Sequence, residues 1–216
     1  MEKKITTTKR RFRKTFRRYK KIDNRIRNVK LEADVPIGVK SGENDLKFLN
    51  IRTGQQTASS MGFAIRDLIR STYQYSSIYN LYSAIRLRGV AITVLYSPVY
   101  KANVIAVPSG VIAYFPGEIS DGISAASIRA ADHQAIFNQY NQKRIYYSFK
   151  RYNNLAGYST SVELSSNEQS PAILGAVAVT SQQPNLQMTS QDSDVVLYNC
   201  RVAIYCELSL PIGGPA

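Results

Sequence analysis

Basic side chains near the start of the chain, interleaved with aromatic rings, are the residues best suited to chemistry, and that chemistry is the binding of a polyanion. Residues 1–30 contain fourteen Lys or Arg against only Glu2 and Asp23, and the whole chain has a formal net charge of +13. Phosphates neutralised by such side chains release condensed counterions, which makes binding favourable, independent of base sequence and dependent on salt. Arg suits phosphate especially well, because its guanidinium group can donate to two oxygens at once.

The aromatic residues Phe12, Phe16 and Tyr19 are spaced by four and by three positions. If this segment became helical on binding, the three rings would share one face. That face would continue through Ile22, Ile26 and Val29. Stacking of a ring on an unpaired base contributes about 1 to 3 kcal/mol and tolerates any base, so the pattern predicts single-stranded nucleic acid.

Two other interpretations of these rings stay open. The rings could pack against the folded body of the protein, with no role in binding. The segment could also form a basic amphipathic helix that lies on a membrane or in an acidic groove of another protein. Cations outnumber apolar residues in this stretch, so we favour nucleic acid as the ligand.

The candidate nucleic-acid-binding residues are therefore the basic and aromatic side chains of residues 1–30. They are Lys3, Lys4, Lys9, Arg10, Arg11, Phe12, Arg13, Lys14, Phe16, Arg17, Arg18, Tyr19, Lys20, Lys21, Arg25, Arg27 and Lys30. Blocks of like charge repel one another and bury little apolar surface, so we expect residues 1–40 to form a disordered basic arm.

Residues 41–216 are expected to form one folded domain, because their number suffices for a hydrophobic core. The remaining 186 residues after position 30 hold fourteen basic and thirteen acidic residues, so this part is nearly neutral. No targeting signal or membrane span is predicted, and we expect the chain to fold in a cytosol. Cys200 and Cys206 would lie about 20 Å apart on one strand, so we expect two buried, reduced thiols.

Strand patterns dominate this domain. The clearest lies at 195–210, where apolar and polar residues alternate. The positions predicted to face the core are Val196, Tyr198, Cys200, Val202, Ile204, Cys206 and Leu208. Residues 143–152 alternate in the same way, with Ile145, Tyr147 and Phe149 inward and Arg144, Ser148 and Lys150 outward.

Four further segments are also predicted to be strands. Residues 110–115 and 172–179 are short apolar runs, typical of strands covered on both faces. Residues 86–98 alternate and then become apolar after Gly89, which indicates a bulge or a change of packing partner there. Residues 44–53 form a weaker alternating pattern.

Two short helices are predicted between the strands, at 59–71 and at 125–139. The first places Phe63, Ile65, Leu68 and Ile69 on one side, and the second is rich in Ala. Many strands, frequent turn clusters and few helices predict an all-β sandwich or barrel.

The domain offers little for catalysis, and we predict that the protein is not an enzyme. His133 is the only histidine, so neither a histidine metal cluster nor a two-histidine mechanism is available, and no cofactor or metal is expected. Asp121 and Asp132 flank the second predicted helix and are expected to be a turn residue and a solvated position.

Tyrosine is abundant, with fifteen residues and no tryptophan. The tyrosines in the first half of the domain are Tyr73, Tyr75, Tyr79, Tyr82, Tyr96, Tyr100 and Tyr114. Tyrosine is favoured where protein surfaces meet, which predicts contacts between subunits. The alternative is that tyrosine is simply a good strand residue on half-buried faces.

The basic string KRRFRKTFRRYKK and the strand RLRGVAITVLYSP, followed by a neutral β domain, give the chain a known plan. It resembles the single jelly-roll capsid proteins of small icosahedral viruses, and most closely the circovirus-like coats of circular single-stranded DNA viruses. Circoviral arms are often almost pure arginine, whereas this one mixes Lys, Thr and aromatic residues. Small RNA satellite viruses share the plan and stay an alternative.

The resemblance implies an eight-stranded antiparallel jelly roll with short helical insertions, in a T=1 shell of about 60 copies held by self-contacts. It implies a viral single-stranded genome, DNA favoured over RNA, bound by the arm. It also implies a nuclear localisation signal at TKRRFRK, 8–14, read by the host import machinery. The protein would then be found in the virion, and in the host nucleus or cytoplasm during assembly.

A cellular nucleic-acid-binding protein of the ribosomal or chromatin type is the competing function. Such proteins usually spread Lys and Arg over the folded domain as well, whereas this domain is almost neutral. An enzyme with a basic targeting segment would need a reactive cluster, and the sequence shows none.

Overall fold

The computed structural model describes residues 27–53, 56–99, 107–116, 123–149, 161–163, 175–183 and 193–211. In chain order the strands are β1 (Arg27–Val39), β2 (Leu46–Thr53), β3 (Gln56–Ser60), β4 (Gly62–Ala64), β5 (Tyr82–Val99), β6 (Gly110–Phe115), β7 (Gln134–Phe137), β8 (Lys143–Ser148), β9 (Ser161–Glu163), β10 (Ala176–Ser181) and β11 (Val195–Pro211). The helices are α1 (Ile65–Ser71), α2 (Tyr75–Leu81) and α3 (Ala125–Arg129).

These strands form two antiparallel sheets. The seven-stranded sheet has the order β3-β2-β1-β11-β5-β8, and β9 pairs with the outer part of β5. The four-stranded sheet has the order β4-β10-β6-β7. Neighbouring strands are mostly distant in the chain, so the two sheets form only when remote segments meet.

The core lies between the two sheets and follows the alternation of the long strands. In β11, Cys200, Val202 and Ile204 are fully buried, while Arg201 between them is exposed. Leu31 and Ile37 of β1 are also fully buried against this layer. Each such side chain contributes about 1.5 to 3 kcal/mol relative to an exposed one.

Strand β6 is covered on both of its faces, as its continuous apolar run predicted. Ile112 and Tyr114 belong to the core between the sheets. Val111 and Ala113 face the other way and pack against Ile128 of α3. The short helix therefore closes the outer side of the four-stranded sheet.

Most predicted strands are confirmed, and two differ in detail. The run predicted at 172–179 forms β10 at Ala176–Ser181, after Gly175 with φ of 82°. In β11 a register irregularity between Val196 and Tyr198 changes which side chains face inward. Leu197 is consequently buried and Val196 only half-buried, so the predicted inward position of Val196 is wrong.

Residues 27–39, which the sequence analysis placed in the disordered arm, form the strand β1. This strand pairs with β11 along its whole length, from Arg27 opposite Leu208 to Val39 opposite Val195. Its exposed residues include Lys30, Glu32 and Asp34, which alternate with buried apolar ones. The expected arm therefore includes a strand of the folded domain, while residues 1–26 lie outside the described residues.

Both predicted helices are shorter than expected. Of 59–71 only α1 is helical, because Gly62–Ala64 pair with β10 as β4, although Ile65 and Leu68 are buried as predicted. Of 125–139 only α3 is helical, and Gln134–Phe137 pair with β6 as β7. Strand pairing with distant segments overrides the local helical preference in both cases.

The tyrosine-rich stretch forms α2, a helix that the sequence analysis did not predict. Tyr73, in the turn before it, is 98% exposed, whereas Tyr114 is buried in the core. Tyr114 is thus a core residue, and the contacts between subunits predicted for the tyrosines stay a prediction. Among the described residues, no helix has the length and apolar composition needed to cross a lipid bilayer.

Candidate nucleic-acid interface

The predicted binding residues from Lys3 to Arg25 lie outside the described residues, so only Arg27 and Lys30 can be placed. Both lie among the first four residues of β1, at the end of the sheet where the chain enters it. Arg27 is exposed and lies opposite Leu208 of β11. Lys30 is exposed, lies opposite Tyr205, and forms an ion pair with Glu32.

Lys30 belongs to a mixed charged and aromatic surface, which we call the polar face of the seven-stranded sheet. It is the side of β1, β11, β5 and β8 that points away from the core. Its described side chains are Lys30, Glu32, Asp34, Arg86, Arg88, Arg144, Tyr146, Arg201, Tyr205 and Glu207. The pattern of buried residues on these strands fixes which side chains point to this face.

Ion pairs engage each acidic residue of the polar face. Arg88 pairs with Glu207 and Lys30 with Glu32, while Nε of Arg201 donates to Oδ1 of Asp34 at 3.0 Å.

The charges of these pairs shift two pKa values. The hydrogen bond from Lys30 lowers the pKa of the Glu32 carboxyl group. The hydrogen bond to Asp34 raises the pKa of Arg201.

A bulge in β5 shapes the middle of the polar face. Tyr205 lies opposite Gly89 and Cys206 opposite Leu87, so Arg88 has no direct partner on β11. The extra residue places both Arg88 and Gly89 on the polar face, where Arg88 reaches Glu207. The bulge that the sequence predicted at Gly89 is confirmed.

Two tyrosines lie across this bulge. Tyr146 of β8 and Tyr205 of β11 approach each other edge to face, with their ring centroids 6.1 Å apart. A Cβ atom on Gly89 would come within 2.8 Å of Oη of Tyr146, so the glycine makes room for this ring. Tyr146 is nevertheless 57% exposed.

Tyr146 and Tyr205 are not among the binding residues predicted from the sequence. The alternation that placed Ile145 and Tyr147 inward also placed Tyr146 outward, so its direction was available. Its proximity to Tyr205 depends on the order β11-β5-β8, which the sequence alone does not reveal.

The residues considered for catalysis in the sequence are His133, Asp132 and Asp121. His133 lies before β7, not in a helix, with its ring 4.7 Å from that of Tyr147, and its carbonyl oxygen accepts from the N–H of Tyr114 at 2.9 Å. Asp132 is exposed, and Asp121 lies outside the described residues. The described part of the chain contains no cluster of three or more His, Cys, Asp or Glu residues that could hold a metal ion.

No protein-family model and no curated protein sequence matches the chain. Solved structures, by contrast, are similar over most of its length. A virus-like particle of giant freshwater prawn Macrobrachium rosenbergii nodavirus matches with a TM-score of 0.53 and 11% identity, over 90% of this chain and 100% of that one. Mud crab tombus-like virus matches with a TM-score of 0.54 and 12% identity, over 88% and 91%.

Cocksfoot mottle virus is similar as well, with a TM-score of 0.53 and 9% identity, over 88% of this chain and 86% of that one. The fold is that of the viral jelly-roll capsid proteins. This confirms the predicted all-β antiparallel architecture with few helices. The described residues build it from eleven strand segments, and four of them, β3, β4, β7 and β9, have five residues or fewer.

Proposed function

We propose that this chain is a structural capsid protein that assembles with its own copies into an icosahedral shell and packages single-stranded nucleic acid. The observation that carries the proposal is the likeness of its two-sheet fold to the nodavirus particle subunit, which is covered over its entire length. A subunit that tiles into a shell needs surfaces for its own copies and no catalytic group, so we propose a non-enzymatic role in the virion.

The unequal distribution of charge supports the packaging part of the proposal. Residues 1–30 hold fourteen basic residues and only two acidic ones, while the rest of the chain is almost neutral. A shell of about 60 copies would direct all these basic segments toward one enclosed polymer. The cations of residues 1–26, together with Arg27 and Lys30, would then neutralise phosphates.

The type of genome, the nuclear import signal and the place of assembly are proposed from the sequence resemblance alone. We propose a single-stranded DNA genome because of the strings KRRFRKTFRRYKK and RLRGVAITVLYSP. None of the three viruses named above is described as a circular DNA virus, and they lend this preference no support. Import into the host nucleus through residues 8–14 is proposed on the same basis, as is assembly in the host nucleus or cytoplasm.

A cellular nucleic-acid-binding protein is the second candidate, because a basic extension alone would also explain binding. Such a protein would bind without closing into a shell. Self-assembly therefore distinguishes the two functions.

The full chain should be expressed, purified without denaturant and imaged by negative-stain electron microscopy. We expect closed particles of uniform diameter, with copurified nucleic acid that resists added nuclease until the particles are opened. Digestion by DNase or by RNase after opening would then identify the packaged polymer. A monomer that binds single-stranded DNA and RNA without forming particles would contradict the capsid function and favour the second candidate.

A further inference from the structure

We infer that the polar face of the seven-stranded sheet is a second, ordered contact surface for single-stranded nucleic acid. In this arrangement Tyr146 and Tyr205 stack on unpaired bases, and Arg86 and Arg144 hold the phosphates beside them. The inference rests on the proposed function, because it assumes that the chain binds this polymer. It adds a site within the folded domain, distinct from residues 1–26.

Tyr146 is exposed and Tyr205 is half-buried, so base stacking on this face begins at the Tyr146 ring. Tyr146 is more than half exposed although its ring lies across β5, where Gly89 leaves space for it. Tyr205 contacts it edge to face at 6.1 Å, which fixes the orientation of both rings. Because every base presents a flat π surface, such a pair binds without sequence preference, as a genome-packaging surface requires.

The residues beneath the two rings are small. Ala91 of β5 lies opposite both Ala203 of β11 and Tyr146 of β8. Ala91 and Ala203 are 2% and 7% exposed, and neither carries a side chain that would rise above the rings. Neighbouring side chains of this face therefore cover both alanines, and the two tyrosine rings lie over small residues.

The charge of this face complements a phosphate backbone. The structure describes three acidic side chains on this face, those of Glu32, Asp34 and Glu207, and each is held in an ion pair with a neighbouring cation. Arg86 and Arg144 form no ion pair with any residue that the structure describes. These two cations are therefore available to an external anion.

The position of the two arginines fits an extended strand of nucleic acid. Arg86 lies opposite Glu207, whereas Arg144 lies opposite Thr93, farther along β5. The distance along the strand is about 20 Å, and the two tyrosines lie between the cations. Several nucleotides can therefore bridge the arginines while their bases reach the rings.

Residues 1–26 join the fold beside this surface. The chain enters the sheet at Arg27, opposite Leu208, which is three residues from Tyr205 on the same strand. That separation is about 10 Å along β11. Nucleic acid bound to residues 1–26 would therefore lie next to the end of the polar face that carries Tyr205.

The test measures binding of the full chain to fluorescent 20-mers of thymidine and of uridine at about 0.5 M salt, where phosphate contacts of the basic segment are weak. We expect Tyr146→Ala and Tyr205→Ala each to weaken binding about tenfold, and Tyr146→Phe to bind like the natural chain, since stacking needs the ring and not the hydroxyl. Tyr140→Ala is the matched control, because Tyr140 is 87% exposed but lies in the turn before β8. Equal affinities for Tyr146→Ala, Tyr205→Ala and Tyr140→Ala would overturn the inference.

A second measurement does not depend on the alanine variants. Oligonucleotides carrying bromouracil should crosslink under ultraviolet light to Tyr146 or Tyr205, as mapped by mass spectrometry of the full chain. Arg144→Gln, at an exposed position, should reduce the salt dependence of binding by about one phosphate contact. Crosslinks confined to residues 1–26 would overturn the inference.

Particle formation separates this inference from the proposed function. Particles that package nucleic acid without any crosslink to the polar face would leave the capsid function intact and remove the second site. Crosslinks to Tyr146 from a chain that never forms particles would support the site and contradict the capsid. If Tyr146→Ala prevents particle formation but leaves binding unchanged, a second copy of the chain covers the face and the inference fails.

Discussion

The carboxylate of Asp45 accepts a hydrogen bond of 2.6 Å from the backbone N–H of Ser181, which joins the two sheets at one edge of the sandwich. Asp45 precedes β2, and Ser181 ends β10. The same carboxylate accepts from the hydroxyl of Thr180 at 3.0 Å. On the other side, Arg129 of α3 donates to the carbonyl oxygen of Ser181 at 2.9 Å. Asp45 thus connects the start of β2 in one sheet to the end of β10 in the other, and Arg129 attaches the covering helix α3 to the same end of β10.

Replacing this carboxylate should destabilise the subunit. We expect Asp45→Ala to lower the free energy of unfolding by about 2 kcal/mol, because the backbone N–H groups of Ser181 and Leu46 and the hydroxyl of Thr180 lose a charged acceptor. Urea unfolding of the unassembled subunit measures the change. Asp194→Ala is the control, since Asp194 accepts from the N–H of Ser41 at an exposed site and should cost about 0.5 kcal/mol. Equal losses for the two variants would show that Asp45 does not link the sheets.

The two cysteines should be inert in the folded protein. Burial raises the pKa of the Cys206 thiol to about 12, and it raises the pKa of Cys200 as well. At pH 8 both thiols are therefore protonated and shielded, while in the unfolded chain they become reactive. We expect slow reaction with a coloured thiol reagent in the native protein and rapid reaction of both after guanidinium is added. Fast labelling before denaturation would contradict the buried positions.

The thiol of Cys206 makes the free energy of unfolding depend on pH. The folded-state pKa of Cys206 is above its ordinary value of 9.0, so the folded protein holds this proton more tightly than the unfolded chain does. The contribution is complete below pH 9 and is lost as the pH rises from 9 toward 12. Cys206→Ser or Cys206→Ala should reduce this alkaline loss when unfolding is compared at pH 8 and pH 10. An unchanged alkaline loss would assign it to other groups.

Two N-terminal deletions should have opposite effects on folding. Deletion of residues 1–26 leaves β1 complete, so we expect an unchanged far-ultraviolet circular dichroism spectrum and loss of copurified nucleic acid. Deletion of residues 1–40 removes Leu31, Val35 and Ile37 from the core and exposes the edge of β11, so that protein should fail to fold. A folded protein after the longer deletion would show that β1 is dispensable. Undiminished nucleic acid after the shorter one would contradict the proposed role of residues 1–26.

The short helix α1 should contribute to the core, although it is an insertion between strands. Leu68 of α1 is fully buried, whereas Leu81 at the end of α2 is 54% exposed. We expect Leu68→Ala to lower the free energy of unfolding by about 2 to 5 kcal/mol. Leu81→Ala should cost less than about 1 kcal/mol, by the same urea unfolding. Similar losses of unfolding free energy for the two variants would mean that α1 does not contribute to the core.

Features determined by neighbouring residues could be predicted from the sequence. The burial of Cys200 and Val202 and the exposure of Arg201 follow from strict alternation, which constrains the strand locally. The bulge at Gly89 was predictable for the same reason, since a change of phase inside one strand shows in the sequence itself.

Features that depend on distant partners could not be predicted. Gln134–Phe137 form a strand because β6 offers them a pairing edge, and the nearby alanines suggested a helix instead. In β1, the alternation of Leu31 and Val35 with charged residues was visible, but the high charge nearby favoured assignment to the arm. The contact between Tyr146 and Tyr205 needs both the strand order and the register of three strands.

The antiparallel pairing of β1 with β11 has a consequence for engineered versions of this chain. Because Arg27 lies opposite Leu208, the end of β11 lies at the same end of the sheet as the start of β1. The turn at Asn138–Asn141 precedes Lys143, which lies opposite Val94, and Val94 lies opposite Cys200, about 25 Å along β11 from Leu208. A peptide grafted into that turn would therefore lie at the opposite end of the sheet from a partner fused after β11, so the two positions can be engineered separately.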